Sequence, residues 1–349
     1  MKVLRIHGAG DVRLHEEAEP VPVDGEVLLH VTAVGLCGSD RHWFLDAGIG
    51  DDAITHPLVL GHEFAGVIAS GPRTGQRVAG EPTQACGRCE RCLAGQQHLC
   101  TNHRFAGHGR TDGALREVMA WPDHLLFPLP DDVSDGAGAV LEALGVALHG
   151  LDLGHVTAAS TASVHGCGPI GLLLVQLLAM QGCSMVIALD PLAHRVHAAA
   201  AHGATDTIVA TDPVTDEAAI RDLTGGRGVD IAFEVAGPDA AVKSAVRAAR
   251  PGGRVVLIGI PYDDTTSFPA SIARRKGLTI LVSRRMTSAD LPRAISLAGA
   301  GRVDVESVIS ERFPLAGAPA AFEALGTQRG LKVLIEPWKR TVEGGANDG

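Results

Sequence analysis

Between Leu153 and Leu189 the chain carries no Asp, Glu, Lys or Arg. A membrane-spanning helix needs about 20 mostly apolar residues, and this run is longer. Gly166, Gly168, Pro169 and Gly171 break it near its middle, and Thr157, Ser160, Thr161 and Ser163 precede the break. The run therefore reads as a buried strand ending at His165, a tight turn, a buried helix over 170–181 and a second buried strand over 185–189. Strands this apolar are buried on both faces, so helices must cover both sides of their sheet. The pattern continues with a helix over 193–202 ended by Gly203, a strand over 206–209, a helix over 216–223 and a strand over 229–233. A helix over 240–250 is stopped by Pro251-Gly252-Gly253, and a strand over 254–258 follows. Strands alternating with helices imply an α/β fold with a doubly wound parallel sheet.

The turn inside the charge-free run is Gly166-Cys167-Gly168-Pro169-Ile170-Gly171, a G-x-G-x-x-G pattern between strand and helix. Asp190 lies nineteen residues beyond Gly171, at the end of the next strand. That context turns a weak motif into a dinucleotide fingerprint. Gly166 permits the tight turn, Gly168 lets a pyrophosphate approach the backbone, and Gly171 lets helix and strand pack closely. Pro169 and Ile170 lead into a helix whose N-terminus faces the phosphates. Asp190 would accept hydrogen bonds from the ribose hydroxyls and repel a 2′-phosphate, which favours NAD over NADP. Arg195 is the opposing signal, because a nearby arginine can hold a 2′-phosphate. The competing reading is a glycine-rich loop without a ligand. Cys167 and Cys183 read as small buried apolar residues.

The first third is rich in strand-like runs, among them 26–34 and 64–69, separated by Gly and Pro. Cys86, Cys89, Cys92 and Cys100 follow, spaced by two, two and seven residues. Thiolates at ~2.3 Å satisfy a closed, tetrahedral, structural zinc site. Four free thiols or two disulfides are the alternatives, and His98 is a substitute ligand that Cys100 makes unnecessary. Cys37 with Ser39, Asp40 and His42, and His62 with Glu63, form a looser constellation. A thiolate, an imidazole and a carboxylate would make a three-ligand site with one open position. Asp40 could support a ligand or cap the loop, and spacing alone does not decide.

These motifs, in order, resemble the zinc-dependent medium-chain alcohol dehydrogenases, and the N-terminal part is most similar to sorbitol (polyol) dehydrogenases. The resemblance rests on Gly35-Leu36-Cys37-Gly38-Ser39-Asp40-Arg41-His42-Trp43, Gly48-Ile49-Gly50-Asp51 and Pro57-Leu58-Val59-Leu60-Gly61-His62-Glu63. The cysteine cluster, Leu141 to His149, the glycine turn and Pro251-Gly252-Gly253 complete it. It implies a GroES-like β-rich catalytic domain over 1–150 and 288–349, with an NAD-binding Rossmann domain over 151–287. It implies a catalytic zinc held by Cys37, His62 and Glu63, with Glu142 holding a water or entering the coordination sphere. A proton relay would run from Ser39 through the nicotinamide ribose to His42. Trp43, Phe44 and Arg284 would line the substrate pocket, and Phe105 and Arg110 could reach it.

The chain departs from the family pattern in places. Gln76 stands where an acid is usual, Ala143 replaces a proline, and Arg285 replaces an aromatic residue, which weakens the polyol assignment. The expected activity is NAD-dependent interconversion of a secondary alcohol of a polyol, sugar or cyclitol with its ketone. An L-threonine 3-dehydrogenase, a diol dehydrogenase or a non-catalytic cofactor-binding homologue are the other readings. Two zinc ions and NAD are the expected cofactors. Net charge is −10, aromatics are 3% and no basic cluster stands out, so nucleic acid is not an expected partner. No membrane association is expected either. The N-terminus shows no apolar signal core, so a cytoplasmic protein is expected, and the resemblance implies a homodimer or homotetramer. The polar tail from Pro337 is expected to fray.

Overall fold

The structure is a computed structural model that describes residues 1–50, 52–261 and 265–339. Asp51 and the last ten residues, 340–349, which include most of the polar tail, lie outside the described residues. The chain divides into two compact units. The first comprises Met1–Gln84, His103–Val140 and the chain from Ile309 on. The second comprises Ala85–Asn102 and Leu141–Val308.

The second unit is built on a six-stranded sheet, paired in parallel throughout. Its strands in chain order are Thr161–His165, Met185–Asp190, Asp206–Val209, Val229–Glu234, Ala249–Leu257 and Thr279–Val282. Across the sheet they run third, second, first, fourth, fifth, sixth, the order of a dinucleotide-binding sheet. The charge-free run supplies the two central strands and the helix Pro169–Met180 between them. Pro251-Gly252-Gly253 does not end a helix before a strand. The helix ends at Ala248, and the three residues lie inside the strand Ala249–Leu257. Val229 pairs with Ala249 but Ile231 pairs with Arg254, so the extra residues loop out as a bulge. The next strand pairs only from Arg254 on, so Pro251 blocks no ladder bond on that side.

The second unit includes residues outside 151–287. Gln176 exchanges two side-chain bonds with the backbone of Asp304, at 2.7 and 3.0 Å, and Arg293 pairs with Asp152 at 2.6 Å. The cysteine loop joins this unit too. The His98 ring stands edge-on to His149 at 5.0 Å, and Ser288 Oγ donates to Gln97 at 3.5 Å.

The first unit is a seven-stranded sheet, antiparallel except where Ile309–Pro314 runs parallel to Lys332–Glu336. The long strand Glu26–Leu36 is its spine. It pairs with Glu63–Ile68 and, on its other edge, with Val118–Pro122 and Lys332–Glu336. Alternate residues of the spine, Leu29, Val31 and the Trp121 and Phe64 rings nearby, fill one core.

Helix Asp135–Gly154 is the one described helix long and apolar enough to cross a membrane, and 83% of its most apolar window is buried. It is a core helix. Ser134 caps it, accepting from Ala137 N at 3.0 Å.

Candidate functional site: two cysteine-bearing centres and a nucleotide turn

Three neighbouring strands of the first unit bring the first centre together. The spine ends at Leu36, so Cys37 follows directly and opens helix Gly38–Asp46. Glu63 begins the adjacent strand, opposite Gly35, and His62 precedes it. Lys332 begins the strand on the other side. The ligand atoms of Cys37, His62 and Glu63 all lie within 4.8 Å of one another. Asp40 buttresses two of them. Its Oδ2 accepts from Cys37 N at 2.9 Å, and its Oδ1 lies 3.8 Å from His62 Nδ1. Such a carboxylate fixes the orientation of a ligating histidine. Burial pushes the Asp40 carboxyl up, and His62 opposes that shift.

Sequence reasoning missed Lys332. Its ammonium donates to both Glu63 oxygens at 2.7 Å and to Leu36 O at 3.1 Å, fully inside the protein. A Cβ on Gly35 would stand 2.2 Å from Glu63 Oε2, so the carboxylate occupies the space that glycine leaves. Lys332→Met would strand a buried carboxylate, a change that costs about 3–5 kcal/mol. The expected result is a lower unfolding midpoint in the zinc-free protein and a smaller loss with zinc bound, when the metal takes over the charge. Equal losses in both forms, measured by thermal unfolding, would show that Glu63 does not face a metal.

Ser39 is half-buried in the first turn of helix Gly38–Asp46. His42 is buried one turn on, and its Nδ1 lies 3.2 Å from Oδ2 of the exposed Asp46. Ser39 and His42 are three apart, which places them on one helix face. Trp43 is 3% exposed and stands edge-on to His108, within the core. Phe44 stacks on Phe322 at 4.8 Å. Phe105 packs against the His62 ring at 5.4 Å, whereas Arg110 lines a separate cavity. Glu142 is not one of the three converging residues. It is buried on helix Asp135–Gly154, in the second unit. Arg284 is exposed just past the last strand of that unit.

The second centre is the four-cysteine loop. Sγ–Sγ distances are 3.5 Å for Cys89–Cys92, 3.8 Å for Cys89–Cys100 and 4.0 Å for Cys86–Cys92. Sulfurs ~2.3 Å from one tetrahedral ion stand ~3.8 Å apart, so the spacing fits zinc. All seven cysteines are free thiols, which removes the disulfide alternative. The backbone amides of Arg88 and Cys89 pull the Cys86 thiol down to about 6. Burial and neighbouring thiols push Cys92 up to about 12.

The nucleotide turn is ready for an anion. Gly168 caps helix Pro169–Met180 and no side chain bonds to the cap. A Cβ at Gly168 would meet nothing closer than Arg195 Nη1 at 3.9 Å, so the backbone is open to a close approach. A Cβ at Gly171 would stand 1.9 Å from Gly166 O, so helix and strand pack directly. Those features fit a dinucleotide pyrophosphate. Asp190 is held by amides of Cys167 at 2.8 Å and Leu192 at 2.9 Å, and Arg195 Nη1 lies 4.0 Å from it. Cys167 is buried, and burial pushes its thiol up to about 12. Cys183 is only half-buried, which corrects its reading as a buried residue.

A parallel nucleotide-type sheet in one unit and a Cys-His-Glu triad in a second, β-rich unit define a class, and the sequence matches that class. Residues 23–131 match the alcohol dehydrogenase GroES-like domain, and residues 169–300 match the zinc-binding dehydrogenase domain. The chain belongs to the zinc-binding alcohol dehydrogenase family. Among its relatives, D-xylulose reductase A of Aspergillus niger is 33% identical over 335 residues, covering 93% of each chain. Sorbitol dehydrogenase of Bacillus subtilis (strain 168) is 32% identical over 348 residues, covering 97% of each. A Sinorhizobium meliloti 1021 protein solved bound to NADP superposes with TM-score 0.86 at 31% identity, covering 96% of this chain and 99% of that one.

Proposed function

We propose that this protein is an NAD-dependent dehydrogenase of polyols, sugar alcohols or related secondary alcohols. The convergence of Cys37, His62 and Glu63 at one end of the first unit's sheet carries the reading. Relatives named for xylulose and sorbitol supply the substrate class. When bound, zinc supplies Lewis acidity toward an alcohol oxygen and the nicotinamide supplies a hydride acceptor. Cys37, His62 and Glu63 hold the metal, with Lys332 and Asp40 fixing the carboxylate and the imidazole. Ser39 takes the hydroxyl proton. His42 passes it outward, and Asp46, 63% exposed, receives it at the surface. Glu142 serves the open position as a water-holding carboxylate. Gly166, Gly168, Pro169, Ile170 and Gly171 carry the pyrophosphate, and Asp190 the adenosine ribose. Asp190 supports NAD, although one relative was solved with NADP. The free thiols and two thiolate centres suit a reducing, cytoplasmic compartment. A homodimer or homotetramer is the assembly we propose.

The test is a panel of sorbitol, xylitol, cyclitols, vicinal diols and L-threonine, assayed with NAD and with NADP by absorbance of the reduced cofactor. Polyols should lead, with NAD preferred. L-Threonine or a simple diol leading would replace the substrate class, and a preference for NADP would overturn the role of Asp190. In the same assay Ser39→Ala should lower kcat by about 10²-fold or more at unchanged zinc content. Normal turnover would remove the relay.

A further inference from the structure

The first unit holds a second concentration of charge that the zinc ligands do not touch. A cavity of about 340 Å³ is lined by Arg5, Arg104, Arg110 and Arg116, with Glu26 and Asp112 as its carboxylates. The key residue, Arg116, follows the fully buried Leu115, whose backbone bonds to Leu4 and Leu60, and makes an isolated antiparallel bridge with Val3.

Both carboxylates are already engaged. Asp112 accepts from Arg5 at 3.1 Å through each oxygen, and from Val59 N at 3.1 Å. Glu26 lies 3.5 Å from Arg104 and accepts from Val23 N at 3.2 Å. Arg5 is further held by Glu17 at 2.6 and 2.9 Å. Arg116 has no such partner. It is 9% exposed and its side chain makes no hydrogen bond or ion pair with a described residue, and its Nε is buried without an acceptor. Arg110 is exposed and likewise makes none. Burial, with Arg5 close by, works against the charge on Arg116, and Asp112, Glu17 and Glu26, none of them hydrogen-bonded to it, only partly oppose that. A guanidinium does not escape by losing its proton, so the buried charge calls for a counter-ion.

We propose that this cavity is a binding site for a phosphate group, free or carried on a small organic molecule. Two guanidiniums lack an acid, and a divalent anion answers both where a carboxylate answers one. A guanidinium fork also matches phosphate oxygens in pairs. The cavity is larger than one phosphate, which leaves room for an organic portion.

Thermal unfolding of the zinc-loaded full chain tests this, with inorganic phosphate, with glycerol phosphate and with chloride at matched ionic strength. Both phosphates should raise the wild-type midpoint saturably, by about 5 °C at ~100 times the dissociation constant. Arg116→Met should abolish the shift while its midpoint without phosphate stays at or above wild type, because a buried unpaired charge is gone. Arg110→Gln should keep the fold and weaken apparent affinity by about tenfold. Tighter binding of glycerol phosphate would point to an organic ligand, and equal binding to the phosphate group alone. No saturable wild-type shift would overturn the proposal. So would an undiminished shift in Arg116→Met, because phosphate would then be binding elsewhere, such as the nucleotide turn. If Arg116→Met does not fold, an undiminished shift in Arg110→Gln overturns it.

Discussion

His62→Ala is expected to lower kcat/KM by about 10³-fold or more and to remove the zinc proposed at Cys37, His62 and Glu63 while leaving that proposed at the cysteine loop. A Lewis-acid metal contributes several kcal/mol to stabilising developing charge, and a thousandfold loss corresponds to about 4 kcal/mol. The geometry explains why one imidazole matters so much. The centre has three protein donors among the described residues, Cys37, His62 and Glu63. Taking one away leaves a thiolate and a carboxylate, and Lys332 already engages both oxygens of that carboxylate. The two remaining donors cannot hold zinc against solvent. The cysteine loop has its own four ligands, so its metal should stay. Metal analysis beside steady-state kinetics separates the cases. Activity within tenfold of wild type with zinc unchanged would mean that His62 is not a ligand.

Legibility in the sequence followed the range of each interaction. The parallel sheet was readable because its strands are buried on both faces and appear as apolar runs, as in 185–189. The cysteine loop and the glycine turn were readable because each closes within one short segment. Lys332 was not, because its partner Glu63 lies 269 residues away and only strand pairing joins them. Helix Asp135–Gly154 was hidden by Gly138, Gly145 and Gly150, each unfavourable in a helix by ~1 kcal/mol. In the structure these glycines are close-packing points: a Cβ at Gly145 would stand 2.4 Å from Met286 Sδ. Trp43 read equally as pocket lining or as core packing from its place after the Cys37 motif, and its side chain lies in the core cluster, which position in the sequence alone could not decide. The Pro251-Gly252-Gly253 stop misled because a bulge uses the same residues as a helix end.

Cys100→Ala should produce the largest structural effect of any single substitution considered. Cys100 is fully buried, its Sγ accepts from Cys86 N at 3.4 Å, and it is the ligand that brings the chain back to close the loop. Zinc binding at such sites contributes folding free energy outright, about 10–16 kcal/mol in isolated zinc-finger peptides. Here the loop is also held by His98 against His149 and by Gln97 against Ser288, so only part of that is at stake. A loss of at least ~4 kcal/mol is expected, against ~1 kcal/mol for an average substitution. That corresponds to a fall of about 8 °C or more in the unfolding midpoint. Segment 85–102 should become the first site of proteolysis, because without the ion its thiolates repel rather than converge. The zinc lost should be this one, with the Cys37 centre still loaded. A midpoint within about 2 °C of wild type, with zinc content unchanged, would show that the four sulfurs at tetrahedral spacing are held by packing and not by a metal.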